Sequence, residues 1–373
     1  RALGPEGRGL LAVVATIGVL GTQFGTLGLP TAHTYYVAQD RRLLPEVLAD
    51  ALAISLVVGG VGALAAWALC TLFPQVAPLQ GRLLALALAM VPLGVAGSLL
   101  QNLAMGVQKV RLANGLEVGG KALTLAGIGL LLQNGRMAVE AVCIVQLVAQ
   151  CLILAGWGVA FRPLLVRVPR PSWALLQRHL PYGLKAYGAA VFALLTLKLD
   201  LLVVRHLQGL EAAGYYSIAM MLVDVATLLP MTVAAVVFPR LSALPDAAAK
   251  WRLAKRITGL TALALLPVTG LLALAAEPLI RWLFGVAATP AAPLLLALLP
   301  GACVLGVASV LAQYLASVGF PAAMMRVWVG LLLASVSLNF WAIPHWGTIG
   351  AAWVYTGVAV GYALVIGWLV RRH

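Results

Sequence analysis

Charged residues are scarce in this sequence, and their scarcity excludes most soluble folds. Only 10% of the 373 residues are charged, 62% are hydrophobic, and the mean hydropathy is +1.01. Soluble domains contain about 25% charged and about 45–50% apolar residues. A chain of this length cannot hide so much apolar surface in its own core, so lipid must be the solvent for a large part of it.

Acidic residues are scarcer than basic ones, which gives the chain a formal net charge of +14. Such a charge is also typical of nucleic-acid-binding proteins. Here, however, the basic residues form short clusters between apolar runs, with no continuous basic stripe. We therefore expect no nucleic-acid partner.

Motifs for metal, nucleotide or covalent chemistry are lacking as well. The four cysteines lie in apolar segments without metal-ligand spacing, so we expect neither a zinc site nor disulfides. No nucleotide-binding motif is present, which argues against direct use of ATP, and we expect no cofactor. The sequence shows no paired carboxylates or histidine cluster on a large loop, as a membrane enzyme would need.

Long hydrophobic runs, in contrast, are abundant. A helix needs about 20 apolar residues to cross the hydrocarbon core, and eleven segments meet this requirement, separated by turn and charge signals. The predicted spans are 10–37, 47–73, 83–107, 112–132, 138–160, 180–204, 213–238, 254–275, 292–316, 326–343 and 349–369. The opening residues Arg1–Gly9 are predicted to form a loop and show no features of a cleavable signal peptide.

Basic residues are distributed unevenly between alternate loops. Sixteen of the 25 lysines and arginines fall on the side of the C-terminus, six fall on the other side, and three lie within spans. Because positive charge favours the cytoplasmic side, we expect a multi-pass protein of the cytoplasmic (inner) membrane with a cytoplasmic C-terminus. A polar stretch divides five spans from six. We therefore expect an N-terminal lobe at 1–161, a cytoplasmic linker at 162–178 and a C-terminal lobe at 179–373.

A short motif occurs twice, 205 residues apart. Gly4–Gly9 and Gly209–Gly214 both read G-x-E-x-x-G, and each precedes a long apolar span that contains a proline, Pro30 or Pro230. Repeats of this size are typical of transporters built from two similar bundles. A helix precedes the second copy, so we expect one before the first copy too. That gives twelve spans in two halves of six, related by an axis along the membrane normal.

Several motifs resemble the Wzx-type polysaccharide flippases of the multidrug/oligosaccharidyl-lipid/polysaccharide (MOP) flippase superfamily. The similarity is strongest in Leu180-Pro-Tyr-Gly-Leu-Lys185, Leu197-Lys-Leu-Asp200, Gly214-Tyr-Tyr-Ser-Ile-Ala219 and Phe238-Pro-Arg-Leu-Ser242. The opening Leu3–Gly9 and the later Leu27–Ala38 are similar to the family's first loop and second helix. The resemblance implies an all-α fold with two pseudo-symmetric six-helix lobes around a central cavity.

Proteins of that family move lipid-diphosphate-linked oligosaccharides from the inner to the outer leaflet by alternating access, for cell-envelope polysaccharides such as lipopolysaccharide. The resemblance thus implies a transporter and not an enzyme, with the lipid-linked oligosaccharide and the lipid bilayer as partners. We expect it to act as a monomer, and coupling to an ion gradient is left open. A sugar-diphosphate head would lose its hydration in hydrocarbon, so the transporter needs a polar cavity with cationic groups.

The few charged residues within spans are the first candidates for that cavity, because charge inside a bilayer is costly. At 100° per residue, Tyr182, Lys185, Thr196 and Asp200 share one face of the sixth span, which predicts a polar stripe along a water-filled cavity. Asp224, on the next span, is a candidate cation or proton site, with Lys185 as its candidate partner.

Further candidates lie on other faces and spans. Lys198 points away from the stripe and is either a lysine at the membrane interface or, by the resemblance, half of a charged pattern with Asp200. Glu117 and Lys121, at i and i+4, either neutralise each other or line the cavity, where Lys121 would bind the diphosphate. The full set of predicted substrate-binding residues is Gln23, Glu117, Lys121, Tyr182, Lys185, Thr196, Lys198, Asp200 and Asp224.

Two other functions stay open at this stage. An ion-coupled multidrug antiporter of the same superfamily would need an acidic cavity for cationic drugs, and the lysines within the spans disfavour it. A membrane glycosyltransferase or polymerase would need a catalytic cluster on a sizeable loop, and the predicted outer loops are short.

Overall fold

The structure is a computed structural model that describes the backbone of residues 3–75, 77–164, 171–244, 246–318 and 321–372. Within these ranges the side chains at 31, 35, 38, 39, 110, 164, 178, 179, 182, 183, 185, 186, 189, 239, 242, 243 and 321–323 are not described. The predicted roles of the Tyr182 and Lys185 side chains therefore lie outside the described residues.

The described chain is helical from end to end and contains no strand. Its α-helices are α1 Gly4–Thr26, α2 Leu29–Gln39, α3 Leu44–Ile54, α4 Gly60–Leu72, α5 Gly81–Gly106, α6 Val110–Gln133, α7 Val139–Phe161, α8 Trp173–Ala243, α9 Ala247–Leu274, α10 Ala276–Phe284, α11 Ala291–Ser317, α12 Pro321–Trp346 and α13 Thr348–Arg371. A π-helical turn at Ser55–Gly59 joins α3 to α4.

Ten apolar segments in the described part are long enough to cross a membrane. The longest, Ala190–Phe238, has 49 residues and would extend about 74 Å as one helix, far beyond a hydrocarbon core of about 30 Å. It is broken at Gly209, whose φ of 88° and ψ of −176° are not helical. Two crossings therefore fit within this segment, which accounts for the eleven predicted spans. The prediction of an all-α polytopic membrane protein is confirmed.

The first predicted span differs from the structure at both ends. Residues Gly4–Gly9, predicted as a loop, form the first turns of α1, and Gly4 starts the helix with a φ of +64°. The predicted continuous span at 10–37 is interrupted by Leu27 and Gly28, both with positive φ. Pro30 supplies the physical reason, because it lacks the N–H that would bond the carbonyl of residue 26, where α1 ends.

Two more elements escaped the sequence prediction. α8 begins at Trp173, inside the stretch predicted as a polar linker. The short helix α10, Ala276–Phe284, follows α9 in a segment assigned to a loop. It buries Ala276 and Ile280 while Trp282 stays exposed, so it is a one-sided helix too short to register as a span.

The helices form two compact units. The N-terminal unit comprises Leu10–Val191, and the C-terminal unit comprises Phe192–His373 together with Leu3–Gly9. α5 packs against α2, α4 and α7 in the first, and α11 packs against α9 and α13 in the second. This division by contacts does not decide where the expected lobes begin and end. The lobe boundaries at 1–161, 162–178 and 179–373 therefore stay a prediction.

The two copies of the repeated motif meet inside the C-terminal unit. A Cβ atom added to Gly9 would overlap the carbonyl oxygen of Leu210, and one added to Gly214 would overlap the carbonyl oxygen of Pro5. Position 210 corresponds to position 5, and 214 to 9, at the repeat offset of 205 residues. The contact is therefore reciprocal, with each glycine facing the partner copy's backbone.

Candidate functional site

A polar cavity of about 420 Å³ lies in the N-terminal unit between α5, α6 and α7. Its walls combine amide, hydroxyl and charged side chains with small and apolar residues. They are Gly97, Gln101, Ala113, Glu117, Gly120, Lys121, Thr124, Gln146, Ala149, Gln150, Ile153 and Trp157. In a segment of such low charge content, this concentration of polar groups marks a candidate binding site.

The charges of this cavity cancel within one hydrogen-bonded group. Lys121 Nζ lies 2.8 Å from Glu117 Oε1, and Gln101 Nε2 donates to Glu117 Oε2 at 2.9 Å. The predicted self-neutralising pair is thus confirmed, and it also lines the cavity. The Lys121 side chain remains 76% exposed, so its ammonium group is accessible to a ligand.

A second cavity, of about 290 Å³, lies in the C-terminal unit. Compared with the first cavity, it has fewer polar side chains and more aromatic and methionine side chains. Its walls are Leu194, Leu197, Lys198, Met220, Asp224, Thr227, Pro230, Met231, Leu305, Gly306, Ser309, Trp328, Tyr355 and Tyr362. Trp328 and Tyr362 stack with ring centroids 4.6 Å apart, which gives the cavity a stiff aromatic wall.

Lys198 and Asp224 form the charged pair of this second cavity. Lys198 Nζ lies 3.2 Å from Asp224 Oδ2. Lys198 is thus paired with a carboxylate at this cavity, and the candidate pairing of Asp224 with Lys185 lies outside the described residues. Asp224, an expected cation or proton site, is 58% exposed in its side chain and so accessible from the cavity.

Asp200 and Thr196 occupy a different environment from the expected water-filled stripe. Both are buried, with Asp200 only 4% exposed. Asp200 Oδ2 accepts a 2.5 Å hydrogen bond from the Tyr216 hydroxyl, and Oδ1 accepts one from the Leu201 N–H. Thr196 donates to the main-chain carbonyl of Phe192. These contacts are made within the protein, so the part of this helix face at Thr196 and Asp200 packs against protein rather than facing water.

Gln23 lies on α1 and lines neither of the two cavities as far as the residues are described. Its main-chain carbonyl accepts a 2.5 Å hydrogen bond from the Tyr187 hydroxyl, which ties α1 to α8 within the N-terminal unit. Among the described residues, no group of three histidine, cysteine, aspartate or glutamate side chains is placed to hold a metal ion.

Several cavity residues were not among the predicted site, chiefly Gln146, Gln150 and Tyr355. The repeat offset relates Gln150 to Tyr355, whereas the counterpart of Gln146, Ala351, is not among the lining residues of the second cavity. Gln101, Gln150 and Trp157 line the first cavity, and the positions 205 residues later, Gly306, Tyr355 and Tyr362, line the second. Three lining positions of the first cavity thus correspond to lining positions of the second at the repeat offset, and the two cavities differ in their side-chain chemistry.

The fold matches those of solved transporters. A multidrug resistance MATE family transporter of the MOP superfamily, in an inward-facing conformation, aligns with a TM-score of 0.79 at 16% identity and covers 100% of this chain and 91% of its own. The lipid II flippase MurJ aligns at 0.72 with 14% identity over 99% and 82%. A MOP superfamily transporter from Pyrococcus furiosus aligns at 0.68 with 15% identity over 99% and 88%. This is the fold of MOP-superfamily transporters.

The family follows from the sequence itself. A family model described as polysaccharide biosynthesis protein matches residues 1–293, and the chain belongs to that family. The resemblance read from the sequence motifs is confirmed at this level. Comparison with curated proteins gave no match.

Proposed function

We propose that this protein is a flippase that moves a lipid-diphosphate-linked oligosaccharide from the inner to the outer leaflet of the cytoplasmic membrane, for cell-surface polysaccharide biosynthesis. One observation carries the proposal: a chain of the polysaccharide biosynthesis family has the fold of MOP-superfamily transporters. A biosynthetic role and a transport fold coincide when a hydrophilic intermediate must cross a bilayer.

The physical problem is the head group of such a lipid. A diphosphate and several sugars cannot enter hydrocarbon without losing their hydration, whereas the lipid tail need not leave the membrane. Polar cavities inside a helical bundle replace part of that hydration. Lys121 and Lys198 line such cavities, and each is paired with a carboxylate. A phosphate would bind by displacing that carboxylate from the lysine or by sharing the lysine with it.

The remaining parts of the site belong to the same proposal. Lys185 and Tyr182 are proposed to contact the diphosphate or the sugars, and Asp224 is proposed to couple transport to an ion gradient. Asp200 and Thr196 contribute through the packing of their helix. We further propose a monomer with a cytoplasmic C-terminus, alternating access, and two pseudo-symmetric lobes, which the reciprocal Gly9–Gly214 contact supports.

Deletion of the gene tests the function. We expect lipid-linked oligosaccharide to accumulate in the cytoplasmic leaflet and cell-surface polysaccharide to fall, and the wild-type gene to restore both. Lys185→Ala and Asp224→Ala should fail to restore them even when their expression is raised to match the wild-type protein level. An unchanged pool of lipid-linked sugar after deletion would contradict the substrate class, and full rescue by both variants would contradict the site.

A further inference from the structure

An enclosed amide in the N-terminal cavity lacks a partner. Gln150 lies on α7, and its Oε1 atom is buried and accepts no hydrogen bond from the described residues. Turning the amide over would place its NH₂ group in the same spot, which also needs a partner. Buried polar atoms in folded proteins are nearly always paired, so this position requires a ligand or a bound water.

The surroundings of Gln150 divide the cavity into two ends. Gln146, one turn earlier on α7, and Gln101 on α5 line the same cavity. Glu117 already accepts from Gln101 and Lys121. The Lys121 side chain is 76% exposed, whereas Gln150 Oε1 is enclosed. We call the Glu117–Lys121 pair the accessible charged end of the cavity and the side of Gln150 and Gln146 its amide end.

Hydrogen-bond chemistry selects what can bind at the amide end. A phosphate at neutral pH offers only acceptors, so it cannot donate the hydrogen bond that Gln150 Oε1 lacks. A prenyl chain offers neither donors nor acceptors. A sugar hydroxyl donates and accepts through the same atom, so it satisfies Gln150 in either amide orientation.

We propose that the amide end of this cavity is a sugar-binding subsite, in which Gln150 and Gln146 hydrogen-bond the hydroxyl groups of the first sugar of the substrate. The adjacent diphosphate then lies at the accessible end, beside Lys121. This inference rests on the proposed flippase function and adds which part of the substrate the N-terminal cavity reads.

The aromatic residue of this cavity, Trp157, is not available to stack on a sugar ring, so the sugar is bound through hydrogen bonds. Trp157 is only 2% exposed and stacks on Phe161 with ring centroids 5.6 Å apart. Its ring face is therefore already covered and is not available to a sugar. Discrimination between sugars at this subsite thus depends on the amides. Loss of an amide that bonds a sugar hydroxyl leaves that hydroxyl unpaired, which lowers the binding affinity more than the loss of an apolar contact does.

Two lipid probes separate recognition of the sugar from recognition of the diphosphate. The full chain, reconstituted in nanodiscs, is titrated with a polyprenyl diphosphate and with the same lipid carrying one N-acetylhexosamine. We expect the wild type to bind the glycosylated lipid more tightly. Gln150→Leu should weaken binding of the glycosylated lipid about tenfold, which is about 1.4 kcal/mol, and leave the sugar-free lipid within twofold of the wild type.

Binding of the sugar-free lipid also reports that the variant is folded. Gln133→Leu, an exposed glutamine on α6 outside the cavity, is the control and should leave both affinities unchanged. Equal loss for both lipids, or no loss for either, would overturn the subsite while leaving the flippase proposal standing. A wild type that binds neither lipid would overturn the proposed function, and the subsite with it.

Discussion

Asp200 and Asp224, on either side of the break in α8, have hydrogen-bond partners of different charge. Asp200 is 4% exposed and is held by the hydroxyl of Tyr216 and a main-chain N–H. Asp224 is accessible and is held by the ammonium group of Lys198. A carboxylate enclosed by neutral donors fixes the packing of helices, whereas one that faces a cavity beside a cation can exchange partners with a ligand.

The Asp200–Tyr216 contact is expected to stabilise the fold. Tyr216→Phe leaves a buried carboxylate oxygen without its donor, which costs about 1–3 kcal/mol of unfolding free energy. The measurement is thermal or denaturant unfolding of the purified protein. Tyr215→Phe is the matched control, because the Tyr215 hydroxyl bonds Glu211 on an exposed part of the helix, and we expect it to cost about 0.5 kcal/mol or less. Equal effects of the two substitutions would refute this role.

The Lys198–Asp224 pair is expected to matter for transport beyond its contribution to stability. Each single alanine variant leaves one charge unpaired within a membrane-spanning segment, where charge is costly, and should lower both protein level and complementation. The double variant Lys198→Ala/Asp224→Ala removes both charges, so we expect the protein level to recover. Complementation of the gene deletion should stay lost. A double variant with restored complementation would mean that the pair serves only folding.

At the scale of helices, apolar length was enough to predict where spans lie, because the bilayer imposes it on each crossing separately. It was not enough for their ends. The break at Leu27–Gly28 depends on a missing N–H at Pro30, and α10 is too short for a window of span length. Both are local backbone effects that hydropathy averages away.

The surroundings of the predicted site residues were harder to predict from the sequence, for a related reason. Helical periodicity correctly separated Lys198 from Asp200, which lie about 200° apart around the helix. It could not decide which of the two faces meets a cavity, because that depends on how neighbouring helices pack. An ion pair between residues four apart in one helix, as in Glu117–Lys121, was predictable. The ion pair of Lys198 with Asp224, on opposite sides of the break at Gly209, was not.

The crossing of α1 with α8 is expected to tolerate no side chain at its closest point. Gly9→Ala and Gly214→Ala each place a methyl group on the opposing main-chain carbonyl, which neither backbone can vacate without moving the helix. We expect each to cost about 1–3 kcal/mol of stability, measured by thermal unfolding in detergent. Gly18→Ala, on α1 with no neighbouring atom within 4 Å, should be neutral or slightly stabilising. Equal stability of all three variants would contradict the close crossing.

At the scale of the whole molecule, charge is divided between surfaces and cavities. Within the described part of the chain, each cavity holds one lysine and one carboxylate and so carries no net charge. The excess positive charge of +14 must therefore lie elsewhere, mainly near helix ends and in the connections between helices. This arrangement fits a cavity for a large hydroxylated head group better than an acidic cavity for cationic drugs.

The same division predicts the orientation in the membrane, which labelling can test. In a variant with the four free cysteines replaced by alanine, Arg136→Cys should react with a membrane-impermeant maleimide in intact cells. Arg252→Cys should react only after the membrane is permeabilised, because the basic start of α9 lies on the positive, cytoplasmic side. Both positions are exposed in the fold, so failure to label reflects the membrane and not burial. The reverse pattern would invert the topology, and labelling of both positions from outside would contradict the number of spans between them.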